Sequence, residues 1–122
     1  MASRVFVVQL PHKLDRATGK LKPVASLRAA KRFGETVILL TPNAKPFDQS
    51  VYDELAEKMR DFTADDYLLL LGNMILCGVA AAFAADAAGT VTFLNWNGRD
   101  AEYAPVTVDI FSDALETEDV PQ

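Results

Sequence analysis

The chain has 122 residues, half of them hydrophobic and 24% charged, with a net charge of −5 and a single cysteine. That is the length of one domain, able to bury roughly two-thirds of its unfolded surface, and the mixture is that of a globular protein, which excludes wholesale disorder. With Cys77 alone, an intrachain disulfide and a thiolate metal cage are also excluded.

The first apolar run, "RVFVVQL", is β-branched and stopped by Pro11, which predicts a buried strand rather than the apolar part of a signal peptide. "HKLDRATGKLKP" is polar and basic, with Asp15 and Gly19 as turn formers, and reads as a solvent-exposed hairpin or an open loop. "SLRAAKRFG" predicts a short helix: Ser26 caps its free N–H groups, Lys31 and Arg32 suit the dipole, and Gly34 supplies a left-handed stop. "ETVILLTP" is a second strand, too uniformly apolar for a sheet with one wet face. From Ser50 to Phe62 the spacing of Val51, Leu55, Met59 and Phe62 predicts a helix with one buried face, and Ser50 with Asp53 resembles a capping box.

"DDYLLLLGNMILCGVAAAFAADAAG" then holds nineteen residues without charge, Tyr67 to Ala85. A membrane helix needs about twenty apolar residues. Here, however, the flanks are Asp65, Asp66 and Asp86 with no Lys or Arg to orient a span, and Gly72-Asn73 interrupts the run. The reading is a third strand, a turn, and an Ala-rich helix over 74–88 stopped by Gly89. Gly78, Ala80, Ala81 and Ala84 let that helix lie close to the sheet. A helix apolar nearly all round calls for cover, so a homodimer through 74–88 is expected, and no membrane contact. Asp65 and Asp66 read as solvated turn residues.

"TVTFLNW" and "EYAPVTVDI" are the last strands, joined at Asn97-Gly98, a pair suited to a type I′ turn. Alternation of strand and helix from 35 to 96 implies right-handed parallel crossovers. The fold class is therefore α/β: a three-layer sandwich of about five strands, mainly parallel with a C-terminal antiparallel hairpin, Rossmann-like in outline. One domain covers residues 1–111, and the acidic residues 112–122 lack a core pattern and are expected to be disordered.

Charge is unevenly spread. Residues 1–34 hold eight Lys or Arg against Asp15 alone, a net +7, while residues 35–122 come to −12. Only the first third is thus a credible phosphate-binding face. Its basic cluster is His12, Lys13, Arg16, Lys20 and Lys22, without interleaved aromatics, so single-stranded bases have nothing to stack on and nucleic acid is the weaker partner. His12 has no second histidine to share a metal with, and Cys77, inside an apolar helix, reads as a small buried hydrophobe. No residues assemble a catalytic, metal or cofactor motif.

Two candidate sites stand out. Beyond the carboxyl ends of the second and third long strands lie Thr41, Asn43 and Lys45 on one side and Gly72 and Asn73 on the other. In open α/β sheets that edge takes ligands, here a nucleotide or other phosphate compound. The plainer alternative is that Gly72 permits a tight turn and Asn73 caps the helix. Trp96 and Tyr103 flank the last turn, pair across it, and would anchor a protein partner if exposed.

The strings "RVFVVQLP", "GETVILLTP", "MRDFTADDYLLLLGN" and "LNWNGRDAEYAPVTVDI" together resemble a group of small uncharacterised proteins of tailed bacteriophages and prophages. The resemblance covers most of the chain. It implies a setting, a soluble phage product in the bacterial host cytoplasm, and no activity. The function expected is that of a non-catalytic accessory or regulatory protein that binds a macromolecular partner, a protein before nucleic acid; the alternative is the small-ligand domain.

Overall fold

The computed structural model of the chain describes residues 3–23 and 26–111. Five strands make one sheet: β1 (Arg4–Gln9), β4 (Glu35–Leu40), β5 (Tyr67–Leu69), β6 (Thr90–Asn97) and β7 (Glu102–Asp109). A separate hairpin pairs β2 (His12–Asp15) with β3 (Lys20–Pro23). Two α-helices, α1 (Gln49–Met59) and α2 (Met74–Ala88), and a 3-10 helix, Arg28–Phe33, complete the described elements. The tail 112–122 lies outside the described residues.

The sheet order is β4-β1-β5-β6-β7, parallel as far as β6, with β7 antiparallel at the edge. From β1 the chain crosses the sheet one way to reach β4, then returns the other way through α1 to β5 and through α2 to β6. Right-handed crossovers place oppositely directed connections on opposite faces. The alternation along β1 agrees: Phe6 and Val8 pack with Leu55, Met59, Leu76 and Ala80 of the α-helices, while Val5 and Val7 pack with Ala30 of the 3-10 helix. The mixed α/β sandwich predicted from the sequence is the one observed, with three layers of unequal weight.

Each fully buried Leu, Met or Phe in the α-helical layer contributes about 1.5–3 kcal/mol. Phe6 and Phe62 meet edge to face at 5.3 Å, fixing the end of α1 against β1. Of the predicted stripe, Leu55 and Met59 are buried on α1 and Val51 is half-buried, but the helix ends at Met59, so Phe62, also buried, lies in the turn beyond it rather than on the helix. The apolar run 67–85 divides at Gly72-Asn73 into β5 and α2, and no helix among the described residues is long and apolar enough to cross a membrane.

Several local expectations are corrected. The helix at 26–34 is a 3-10 helix; Ser26 Oγ does accept from Arg28 N at 3.2 Å. Gly34 holds φ 153° and ψ −177°, which is not the left-handed helical stop but a conformation open essentially to glycine alone, and a Cβ there would lie 2.1 Å from the Ser3 carbonyl oxygen. Glycine is required by that close approach. The Ser50–Asp53 capping box does not form: the helix starts at Gln49 after an extended Asp48, and Asp53 accepts from Gln49 Nε2 at 3.1 Å instead. The last turn is a four-residue loop, Gly98 to Ala101, not a two-residue type I′ turn. Asn97 Oδ1 accepts from Arg99 N and its amide donates to Asp100, and Ala101 rather than Gly98 takes the positive φ, at 51°. On α2, Ala80 and Ala84 are fully buried, but Gly78 faces outward, where a Cβ would meet nothing.

Asp66 departs furthest from its expectation. It is 3% exposed, and accepts from Arg4 N at 3.1 Å, Arg4 Nη2 at 3.0 Å, Thr63 N at 2.9 Å and Thr63 Oγ1 at 3.0 Å. It ties the start of β1 to the start of β5 at the amino edge of the sheet. Asp65 beside it is exposed, as expected.

Candidate functional site

Strand order reverses beside β1, because β4 lies to one side and β5 to the other. At such a point the loops leaving neighbouring strands diverge, and a crevice opens at the carboxyl edge. Thr41, Asn43, Lys45, Gly72 and Asn73 do come to that edge. What joins the two loops is Gln9, the last residue of β1, which sequence reading did not single out. Its side chain is 4% exposed. Nε2 donates to the carbonyls of Thr41 and Ala44, each at 3.0 Å, and Oε1 accepts from Asn73 N at 2.9 Å. The amide therefore spans the crevice and satisfies three backbone groups that would otherwise face it.

Gly72 and Asn73 serve this closure. Gly72 has φ 105°, and a Cβ there would lie 2.5 Å from Gln9 Cβ. Asn73 Oδ1 accepts from Ile75 N at 2.9 Å and Leu76 N at 3.3 Å, capping α2. Thr41, Asn43 and Lys45 are exposed on the facing loop.

One strand further along, the same edge is open. β5 has three residues and β6 has eight, and their pairing covers Tyr67↔Thr92 and Leu68↔Phe93. Beyond Phe93 the β6–β7 ribbon continues without β5, held by four pairs of its own, Leu94↔Pro105 to Asn97↔Glu102. The step leaves a cleft of about 650 Å³ among Leu69, Leu71, Phe93, Leu94, Trp96 and Tyr103, with Ser26 and Asn95 at its polar margin. Trp96 and Tyr103 are directly paired, as expected, with ring centroids 4.9 Å apart and an interplanar angle of 68°. Trp96 is half-exposed at 51%, whereas Tyr103 is 6% exposed. Burial pushes the Tyr103 phenol above its ordinary value, so it keeps its proton at neutral pH.

The basic residues lie on the β2–β3 hairpin. Alternation puts Lys13 and Lys22 opposite each other on one face, with Asp15 and Lys20 beyond them, and the Leu14–Leu21 pair on the other face. Arg16 sits in the turn. Lys22 Nζ is 2.7 Å from Asp15, and this bond holds the Asp15 carboxyl below its ordinary value. His12 pairs with Pro23 and its Nδ1 is 2.8 Å from the Leu10 carbonyl.

Elsewhere the chemistry is quiet. Burial raises the Cys77 thiol, whose Sγ contacts the Leu71 carbonyl at 3.3 Å, so it is not an activated thiolate. Burial alone would raise the Asp66 carboxyl, but Arg4 and the Thr63 donors outweigh it and hold it below the usual carboxylate range. No group of three or more His, Cys, Asp or Glu able to hold a metal occurs among the described residues.

No curated protein and no solved structure matches the chain. A family does: phage Pam3 gp32-like protein matches residues 3–110, a span that takes in the whole sheet, both α-helices and the basic hairpin, and the chain belongs to that family.

Proposed function

We propose that this phage-family protein is an accessory protein that acts in the bacterial host cytoplasm by binding a protein partner, and that the β2–β3 hairpin is its principal arm. The observation that carries the reading is the pair Leu14 and Leu21, 55% and 65% exposed, opposite each other on a two-stranded ribbon that stands apart from the main sheet. An isolated hairpin is marginal in water. Covering the two leucines would stabilise the ribbon by about 1.5–3 kcal/mol each. Lys13, Lys20 and Lys22 on the opposite face and Arg16 in the turn give the ribbon a second, basic face, which suits a partner groove that covers the leucines and offers carboxylates to the other side. Nucleic acid is less well served, since the hairpin carries no aromatic ring and its Lys22 is neutralised by Asp15.

The test is affinity capture from phage-infected cells with the wild-type chain and with Leu14→Ser/Leu21→Ser. A nuclease-insensitive protein held by the first and lost from the second is the expected result. If the variant retains everything the wild type retains, the hairpin is not the arm. A steep loss of binding with salt, abolished by nuclease, would instead identify a nucleic-acid partner.

A homodimer through residues 74–88 is the second reading, favoured by the exposed Met74 at 87% and Ile75 at 57% beside the outward Gly78. Light scattering that gives a monomer at high concentration removes it.

A further inference from the structure

Resting on the hairpin as the binding arm, we infer that its partner is a second copy of this chain, which offers its acidic stretch 112–122 to Leu14, Leu21 and the lysines behind them. The copies then join head to tail. Charge, side-chain pattern and reach carry this assignment.

Within residues 12–23 four cations, Lys13, Arg16, Lys20 and Lys22, stand against Asp15, a net +3. Residues 112–122 hold Asp113, Glu116, Glu118 and Asp119 without any Lys or Arg, a net −4. Opposite charges of nearly equal size draw hairpin to segment and keep like ends apart.

The hairpin is a sheet of two strands, so each keeps one unpaired edge within it. An extended segment added at such an edge gains main-chain bonds and sends alternate side chains to the two faces. One face of the ribbon carries the Leu14–Leu21 pair, and the other carries Lys13–Lys22 and Asp15–Lys20. In "LETE" an extended backbone puts Leu115 and Thr117 on one side and Glu116 and Glu118 on the other. Leu115 then lies beside the leucines while both glutamates lie beside the lysines. A slip by one residue would set carboxylates against leucines, so the pattern also fixes the register.

Reach decides between one chain and two. β7 runs antiparallel, so Asp109 faces Thr90, and Ile110 N donates to the Gly89 carbonyl at 3.2 Å, at the amino edge of the sheet. The hairpin follows β1 at the carboxyl edge, where His12 lines a groove with Ile38 and Leu39 of the far edge strand. The six residues of β1 separate the two edges by about 20 Å, and three strand spacings separate β1 from β7 by about 14 Å. The two places are therefore about 24 Å apart. Leu115 lies only four positions past Phe111, about 14 Å at full stretch. It falls short of its own hairpin and meets that of a neighbour. A contact between two unlike patches is heterologous, so each pair still has a free hairpin and a free segment, and copies add until a ring closes.

The experiment is sedimentation velocity on the full chain over a concentration series, and the mass is expected to rise past that of a dimer. Leu14→Ser/Leu21→Ser breaks the hairpin side, and Leu115→Ser/Glu116→Lys/Glu118→Lys breaks the segment side. Each should weaken association by roughly tenfold or more, and circular dichroism checks that each keeps the fold. Mixed one to one, the two variants should form a heterodimer and nothing larger, since one intact hairpin and one intact segment remain between them. An isologous dimer through 74–88 would ignore both variants. That result, a mixture without heterodimer, or a wild-type chain that stays monomeric at high concentration would overturn the inference. If the chain is monomeric while capture from infected cells still depends on Leu14 and Leu21, the hairpin remains the arm and its occupant is another protein.

Discussion

Two crevices lie one strand apart on the carboxyl edge of this sheet, and the chain treats them oppositely. Between β1 and β5 the gap is spanned by the Gln9 side chain, which bonds to the Thr41 and Ala44 carbonyls and to Asn73 N. Between β5 and β6 the gap stays open, because β5 ends after three residues while β6 runs for eight. Topology alone marks the first position as the binding place. Side-chain chemistry and strand length move the free volume to the second. A crevice predicted from strand order is a site only if no residue of the chain already occupies it.

Substitutions can break or sharpen this contrast. Gly72→Ala should be the most damaging, costing about 3 kcal/mol or more, because the residue must hold φ 105° with a Cβ driven onto Gln9; urea denaturation measures it. Gln9→Ala should follow at about 2–3 kcal/mol, since it leaves Asn73 N and two carbonyls without their partner. If Gln9→Ala melts like the wild type, the crevice is not held shut by that amide.

At the opposite edge, Asp66→Asn should cost about 2 kcal/mol by weakening the charge-assisted bonds from Arg4. The native carboxyl is held below its unfolded value, so its contribution is complete above about pH 4 and disappears as the pH falls through the folded value. Acid titration of stability should therefore be shallower in the variant than in the wild type. The open cleft should respond far less. Trp96→Ala loses one edge-to-face contact on a half-exposed ring, about 1 kcal/mol. Leu14→Ser/Leu21→Ser, on side chains already in water, should shift stability by no more than about 0.5 kcal/mol in calorimetry.

Much of the architecture was legible because the signals were long. The stripe on α1, the division of the apolar run at Gly72-Asn73, the Asn73 cap and the Trp96–Tyr103 pair each rest on spacing or on a residue type with few alternatives. The phage setting followed from strings that cover most of the chain, and the family match at residues 3–110 agrees with it. Short signals failed for physical reasons. Asp66 looks like any acid before a strand, and only the fold brings Arg4 to it across 62 residues. Asn97-Gly98 suits a two-residue turn, but the Asn97 side chain bonds to Arg99 and Asp100 and stretches the loop. Gln9 has the appearance of a strand's polar end, and nothing local reveals that its amide meets three backbone groups. The cleft was illegible for a further reason, since it depends on where β5 stops, and "LLLL" does not say.

The contact between Arg4 and Asp66 also bears on the order of assembly. β6 and β7 are neighbours in sequence and pair through a four-residue loop, whereas β1 must wait for β5, 62 residues on, before it has both partners. Closing so long a loop is slow compared with forming a hairpin. During synthesis, "RVFVVQL" emerges well before β5, leaving an apolar strand with an open edge in the nascent chain until its second partner follows. Pulse-labelled hydrogen exchange should find the amides of 91–96 protected before those of 5–8; the reverse order would mean that the parallel centre, and not the terminal ribbon, begins the fold.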